Sequence, residues 1–282
     1  MKAQFENKAM SSFLLYVDNK ILNKGEAYTN VSSGSLYPVS NQYNGVYTYA
    51  SAFKQLVADT SITGASVLSG IYQNGLFYPT GAAGAKLHSI NHYEGQFYFT
   101  EDKSSYTLKA DFSVKDFNIY LTSKSEEELL FETKFHHKPK VTENQSGLEP
   151  HQQTYPAIFL KNFGGQNEPF AFGGLDNTII DIRAVILGDS AFSVDAACSI
   201  FKDSVRTKVP IIEQANIPLN AVGGSASGYN YTDLTETSTN SLFIEKVTIS
   251  KNVGSNYAEN INPGIYSAFA DFELQIPRHP RV

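Results

Sequence analysis

The sequence has no tryptophan, one cysteine and two methionines in 282 residues. A lone Cys198 excludes an intramolecular disulfide. It lies among Ala196, Ala197 and Ile200 with no histidine nearby in sequence, which reads as packing rather than a nucleophile. Charge is also scarce. Asp, Glu, Lys and Arg make up 18% of the chain, below the roughly 25% of an average globular protein. The balance is −6 at pH 7, which argues against a free-standing nucleic-acid binder, since that would need a basic face. The nearest thing to a basic cluster, His136-His137-Lys138-Pro139-Lys140, reads as a solvated linker. No run approaches the ~20 apolar residues of a membrane helix. The start, Met1 to Lys8, is charged early, and the apolar run Phe13 to Val17 is too short for a secretory leader. Folding in a reducing cytoplasm is the simplest expectation.

Chemical motifs are missing too. There is no Gly-x4-Gly-Lys-[Ser/Thr] phosphate loop, no dinucleotide fingerprint and no Gly-x-Ser-x-Gly elbow. His88 and His92 are four apart with Glu94 close by, a metal-compatible spacing on a helix, but Asn91, Tyr93 and Gly95 make poor helix context and the pair reads as loop histidines. Asp181 and Asp189 flank a strong strand, where an acid can be catalytic; Asp189 reads more simply as a helix cap. The absence of tryptophan weakens a sugar-stacking reading. No catalytic, metal or cofactor residue is assigned.

What the sequence does have is Tyr and Phe, 36 together (17 and 19), with many Ser, Thr, Asn and Gly, the profile of β-structure with broad contact surfaces. Phe13 to Val17 is expected as a buried strand turned by Asp18-Asn19-Lys20, and Ala52 to Ala58 as one or two helical turns. Asn74-Gly75, between Ser69–Tyr72 and Leu76–Tyr78, is the strongest hairpin signal, because a type I′ turn needs positive φ at both central residues. Residues 95–100 and 106–112 are expected to pair across a turn, 117–122 to form a further strand, and Glu126-Glu127-Glu128 to be a solvated turn or a helix start. Residues 139–153 lack large apolar side chains and read as a linker, dividing a mainly-β part, 1–138, from an α+β domain, 154–282. In the latter, Thr178 to Leu187 is a central strand whose apolar run at 184–187 implies cover on both faces. One amphipathic helix follows over about 190–208, with Asp189, Ser190 and Ser193 as candidate caps and Pro210 as its stop. Long alternating strands at 242–249 and 266–276 imply an antiparallel, one-side-buried sheet. The fold class expected is β-rich α+β, the helix packed on an antiparallel or mixed sheet.

The stretches Tyr155-Pro156-Ala157-Ile158, Pro169-Phe170-Ala171-Phe172-Gly173-Gly174 and Ile182 to Ser190 resemble structural proteins of tailed bacteriophage particles. Neck and tail-completion, tail-terminator-like proteins are the family in question. The likeness covers mainly residues 155–276 and rests on overall pattern. It implies a non-enzymatic virion component, assembled in the host cytoplasm as a homo-oligomeric ring. Neighbouring connector and tail proteins would be its partners, with no cofactor, no membrane and at most non-specific proximity to channel DNA. The first half departs from a minimal terminator. Alternatives are a baseplate, fibre-attachment or capsid-decorating protein and, less readily, a carbohydrate-binding module. Expected contact elements are the 170–174 loop with its flank (Pro169, Phe170, Phe172) and the tail residues Pro277, Arg278, His279 and Arg281, both Pro-stiffened and unneeded for a core.

Overall fold

The computed structural model describes residues 4–39, 45–136, 138–139, 154–171, 174–219, 227–251 and 264–279. The chain opens with helix α1, Phe5–Lys24. Eight strands follow: β1 Tyr28–Ser35, β2 Tyr37–Pro38, β3 Tyr47–Ala50, β4 Gly70–Gln73, β5 Leu76–Pro79, β6 Leu87–Asn91, β7 Gln96–Phe99 and β8 Leu108–Lys115. Next come β9 Asn118–Leu121, α2 Glu126–His136, the short β10 Lys138–Pro139 and β11 Thr154–Tyr155, and then β12 Ala157–Ala171 and β13 Leu175–Gly188. The last elements are α3 Ala191–Lys202, β14 Lys208–Pro210, α4 Tyr231–Glu236, β15 Ser241–Lys251 and β16 Tyr266–Arg278. The fold is β-rich α+β.

The opening helix corrects the expected strand at 13–17. No Gly or Pro interrupts residues 1–24, so nothing stops a helix, and Ala9, Phe13, Val17 and Ile21 recur every four residues, all buried. The pattern is hard to see because the helix is buried almost all round, which removes the contrast between faces that marks a surface helix. Its polar residues are buried as well. Ser12 accepts a hydrogen bond from the Ile212 backbone N–H at 2.9 Å, and Asp18 and Asn19, expected in a turn, bond to other segments. Gly25 ends the helix where a β-carbon would lie 2.5 Å from the Ile21 carbonyl oxygen and 3.0 Å from Ile200.

Strands β1 to β8 form two four-stranded antiparallel sheets, β1-β8-β4-β5 and β2-β3-β7-β6. Phe97, Phe99, Phe112, Ile71 and Leu87 fill the space between them, which makes a sandwich. The Asn74-Gly75 hairpin is present, with φ of 51° and 84°. Two expectations fail here. β7 and β8 do not pair; the turn at 101–105 carries the chain from one sheet to the other. Residues 52–58 are not helical. The backbone N–H groups of Gln55, Leu56 and Val57 donate instead to the carbonyls of Tyr93, His92 and Ser113, and the Gln55 side chain holds both backbone groups of Ile119. These tertiary bonds outweigh one turn of local helix, which is marginal alone.

The larger sheet has the order β14-β15-β16-β13-β12-β9, antiparallel except that β9 runs parallel to β12. β12 and β13 are long antiparallel neighbours, paired from Ala157↔Leu187 to Ala171↔Leu175. Residues 184–188 are buried on both faces, as their apolar run implies. On the inner face, Ile182, Ala184 and Ile186 pack with Phe13 and Val17 of α1 and Val194 and Phe201 of α3. On the outer face, Val185 and Leu187 meet Leu129 and Leu130 of α2. The glutamates at 126–128 do begin that helix, capped by reciprocal Ser125–Glu128 bonds. Ser190 caps α3, its Oγ accepting from the Ser193 N–H at 3.1 Å. α3 stops at Lys202, short of the expected 208. Arg206 takes a left-handed φ of 63° and its N–H already donates to Ile244 at 2.7 Å, so sheet pairing claims the final turn, and Pro210 ends a strand instead of a helix. Two helices, not one, therefore cover the inner face.

The expected division at 139–153, most of which lies outside the described residues, does not separate the cores. β9 comes before it yet is a strand of the large sheet, α1 comes before it yet packs on that sheet, and the sandwich, 28–115, is inserted between them. The join is polar and buried. Lys115 of β8 donates to Asp18 of α1 at 2.7 Å, the two side chains 7% and 4% exposed. The Tyr229 hydroxyl donates to the same carboxylate at 3.2 Å. Asp59 accepts from the Asn19 side chain, the Ser61 hydroxyl and the Tyr231 backbone N–H at 2.9, 2.7 and 3.0 Å.

Candidate functional site: the open sheet face and the groove at its end

Beyond α2 no other described element covers the outer sheet face. Register sets its side chains in rows across β15, β16, β13 and β12. One row reads Thr248, Asp271, Arg183, Lys161; the next reads Lys246, Glu273, Asp181; a third reads Phe243, Gln275, Ile179, Gln166. Arg183 is the hub. It donates to Asp271 through Nε at 2.6 Å and Nη2 at 2.9 Å, and to Glu126 of α2 through Nη1 at 3.2 Å. Its guanidinium lies 4.5 Å from the Phe163 ring and 5.3 Å from Phe269. The Asp271 hydrogen bonds, foremost, push the guanidinium pKa further up, so this charge is permanent.

The neighbouring row differs. Asp181 and Glu273 stand directly opposite each other on paired strands, an arrangement that like charges disfavour. Neither makes an ion pair among the described residues. They line a shallow cleft of about 210 Å³ with Lys246, Thr248 and Phe163. Phe163 is the extra residue of a bulge between Asn162 and Gly164, and the bulge turns its ring outward, 56% exposed. Gly164 and Gly165 therefore serve a strand irregularity. Gly165 has φ 157°, and a β-carbon there would lie 2.2 Å from the Ile179 carbonyl oxygen.

At the far end of the same strands Pro169, Asp176 and Arg278 share one row, and Pro277 lies opposite Asn177 in the adjoining one. The two contact elements expected from sequence thus meet at one end of the sheet. Pro169, Pro277 and His279 are exposed and Arg278 is half-buried. Phe172 and Arg281 lie outside the described residues, as does the side chain of Phe170. Pro277, Arg278 and His279 line a groove of about 630 Å³ with Phe5, Lys8, Leu175, Ile211, Glu213, Asn240 and Ile276. Arg278 is held in place there. Its guanidinium sits 4.1 Å from the Phe5 ring and its Nε donates to Thr178 Oγ1 at 2.7 Å. Its two terminal nitrogens make no ion pair among the described residues. Lys8, by contrast, is paired with Glu213 at 2.6 Å.

The other candidates separate. His88 is exposed and His92 buried, so they do not share a site, and among the described residues no group of three or more His, Cys, Asp or Glu is placed to hold a metal. Burial, then the Lys115 charge, push His92 down to about 4, and a contact with the Leu68 carbonyl only partly offsets this. Asp189 is exposed and accepts from Ser193 Oγ at 3.2 Å, one step outside the Ser190 cap. Cys198 is buried, and burial raises its pKa, which suits packing.

Sequence reasoning missed Arg183 and Phe163. The outward parity of Asp181 and Arg183 along β13 was a usable signal for the first. Nothing local marks Phe163, whose position depends on the bulge. No protein-family model matches the chain, and comparison with curated proteins finds no match either.

Proposed function

We propose that this chain is a non-enzymatic structural subunit that assembles with copies of itself, and that the assembly is a ring in the neck or tail-completion region of a tailed phage particle. The observation that carries the assembly reading is the unequal covering of the large sheet. Its inner face is closed by α1 and α3, while among the described residues half of its outer face stays open, with Phe163, Phe243 and an ordered array of charges on it. Open sheet faces with projecting aromatics and few hydrogen-bond demands are contact surfaces. The choice of particle rests on the sequence resemblance alone.

Strand addition is the weaker mode of contact. The edge of β12 that no described strand pairs with carries Lys161, two bulges and Pro169, and the corresponding edge of β15 carries a bulge, Lys246 and Lys251. Such features blunt an edge against pairing, which leaves the sheet face and the terminal groove as the surfaces of contact. Light scattering on the purified chain, followed by negative-stain imaging, tests the proposal. A closed ring of several copies is the expected outcome. A chain that remains at 31.1 kDa at every concentration removes self-assembly from the proposal.

A further inference from the structure

We infer that the groove around Arg278 receives the open sheet face of a second copy, with Phe163 entering the groove and Asp181 and Glu273 meeting the Arg278 guanidinium. This inference rests on the self-assembly reading above and names the two surfaces that carry it.

The argument is one of complementarity. The groove has an apolar floor of Leu175, Ile211 and Ile276 beside a guanidinium that is already oriented by the Phe5 ring and by Thr178. An Arg fixed in this way keeps its outer pair of donors for a carboxylate and loses little side-chain entropy on binding it. Lys8 is used by Glu213. What the groove lacks is an apolar group with an acid next to it. The open face supplies both. Phe163 projects there, with Asp181 and Glu273 in the same cleft. Those two carboxylates stand opposite each other, an arrangement that like charges disfavour; Lys246 of the same row makes no ion pair with either among the described residues, and Arg183 is committed to Asp271 and Glu126. A cation from outside relieves that repulsion.

The two surfaces lie on opposite faces of one sheet. Arg278 extends the inner-face residues Leu274 and Ile276, while Asp181 and Glu273 are on the outer face. One copy's inner-face groove against the next copy's outer face is a heterologous contact. Repeated, it closes a ring if the rotation permits.

The design of the test follows from that asymmetry. Asp181→Arg spoils the open face and leaves the groove intact; Arg278→Asp does the reverse. Each variant alone is expected to lose the wild-type oligomer, with the apparent dissociation constant rising about 30-fold or more, as for truncating one partner of a buried interfacial charge pair. Mixed in equal amounts, the two are expected to form a complex of twice the mass of one chain, because one intact groove then faces one intact carboxylate pair. Circular dichroism checks that each variant is folded, and Arg278→Gln, which retains a long polar side chain beside Phe5, replaces Arg278→Asp if it is not. A wild-type oligomer whose mass neither substitution changes overturns this pairing and leaves self-assembly standing. Variants that dissociate but do not combine on mixing overturn it too, since the surfaces then do not meet each other. A wild-type chain that is monomeric throughout overturns self-assembly itself, and the groove then belongs to a different partner.

Discussion

Strand β13 is shared by two surfaces that obey different physics. Its even-numbered side chains, Ile180, Ile182, Ala184 and Ile186, enter a core with Phe13, Phe201 and Phe272. Its odd-numbered side chains Asp181 and Arg183, one residue away, stand among charges on an open face. Fully burying a large apolar side chain is worth about 1.5–3 kcal/mol, whereas an exposed ion pair contributes about 0–1 kcal/mol. The inner face therefore holds the subunit together, and the outer face is free to vary with whatever it touches. Adjacent residues of β16 give the sharpest contrast. Phe272→Ala, at a site 2% exposed, is expected to lower unfolding stability by about 3–5 kcal/mol. Glu273→Ala should stay within about 0.5 kcal/mol of wild type. Urea denaturation measures both, and similar losses at the two sites would erase the distinction between the faces.

The same contrast holds for ion pairs. Lys115–Asp18 is enclosed where the sandwich joins the sheet, while Arg183–Asp271 lies on the open face with the Asp271 side chain 40% exposed. Lys115→Met strands a buried carboxylate and is expected to cost about 3–5 kcal/mol; adding Asp18→Leu should recover much of that loss, because the desolvation penalty disappears with the second charge. Arg183→Ala should cost only about 1 kcal/mol, and less at high salt. Equal salt sensitivity of the two pairs would show that the join is wetter than its burial indicates.

Acid tests the join from another side. His92 is held neutral, burial pushing its pKa from the ordinary 6.5 down to about 4. Well above pH 6.5 neither folded nor unfolded chain protonates it, and it has no influence on stability. As pH falls from 6.5 towards 4 the unfolded chain takes up the proton first, so stability declines, levelling off below about 4 after a loss of about 3 kcal/mol. The groups whose charges bear on it are Lys115 directly and, through that residue, Asp18. His92→Gln is expected to flatten this part of the stability profile between pH 6.5 and 4 while leaving the carboxylate-driven loss at lower pH. An unchanged slope would mean that His92 is solvated in the native state.

The two regions were not equally legible in the sequence. The Asn74-Gly75 hairpin, the doubly buried 184–187 segment and the Ser190 cap could be read because each depends on local rules of φ, strand parity or capping. α1 was misread because an all-round buried helix has no polar face to announce it, and its Asp18 and Asn19 imitate turn residues unless Lys115 and Asp59 are known to be near. The 52–58 segment failed for a related reason: its partners, Tyr93, His92 and Ser113, are distant in sequence. At the candidate site, Pro277 could be picked out as Pro-stiffened and exposed, but Arg278, expected in an exposed tail, is a half-buried residue of β16, and the Phe5 ring that orients it is contributed by the opposite end of the chain. Pairwise register, which the sequence does not contain, is what makes Asp181 and Glu273 neighbours.

The smallest expected effect on the subunit is the one that best separates its two faces. Phe163 projects from a bulge with its ring 56% exposed, so replacing it with Ser removes little buried area, and subunit stability should change by no more than about 0.5 kcal/mol. Its contact with the Arg183 guanidinium contributes about the same amount at an exposed site. If the open face is a place of assembly, the same substitution should weaken self-association far more than it weakens folding, since an aromatic anchor at the centre of an interface carries a large share of the binding energy. Thermal melting of dilute, dissociated Phe163→Ser protein, set beside sedimentation velocity of the concentrated protein, measures the two effects separately. A variant that melts and sediments like wild type would leave Phe163 without a role in assembly, and a large drop in melting temperature at high dilution would make it part of the core after all.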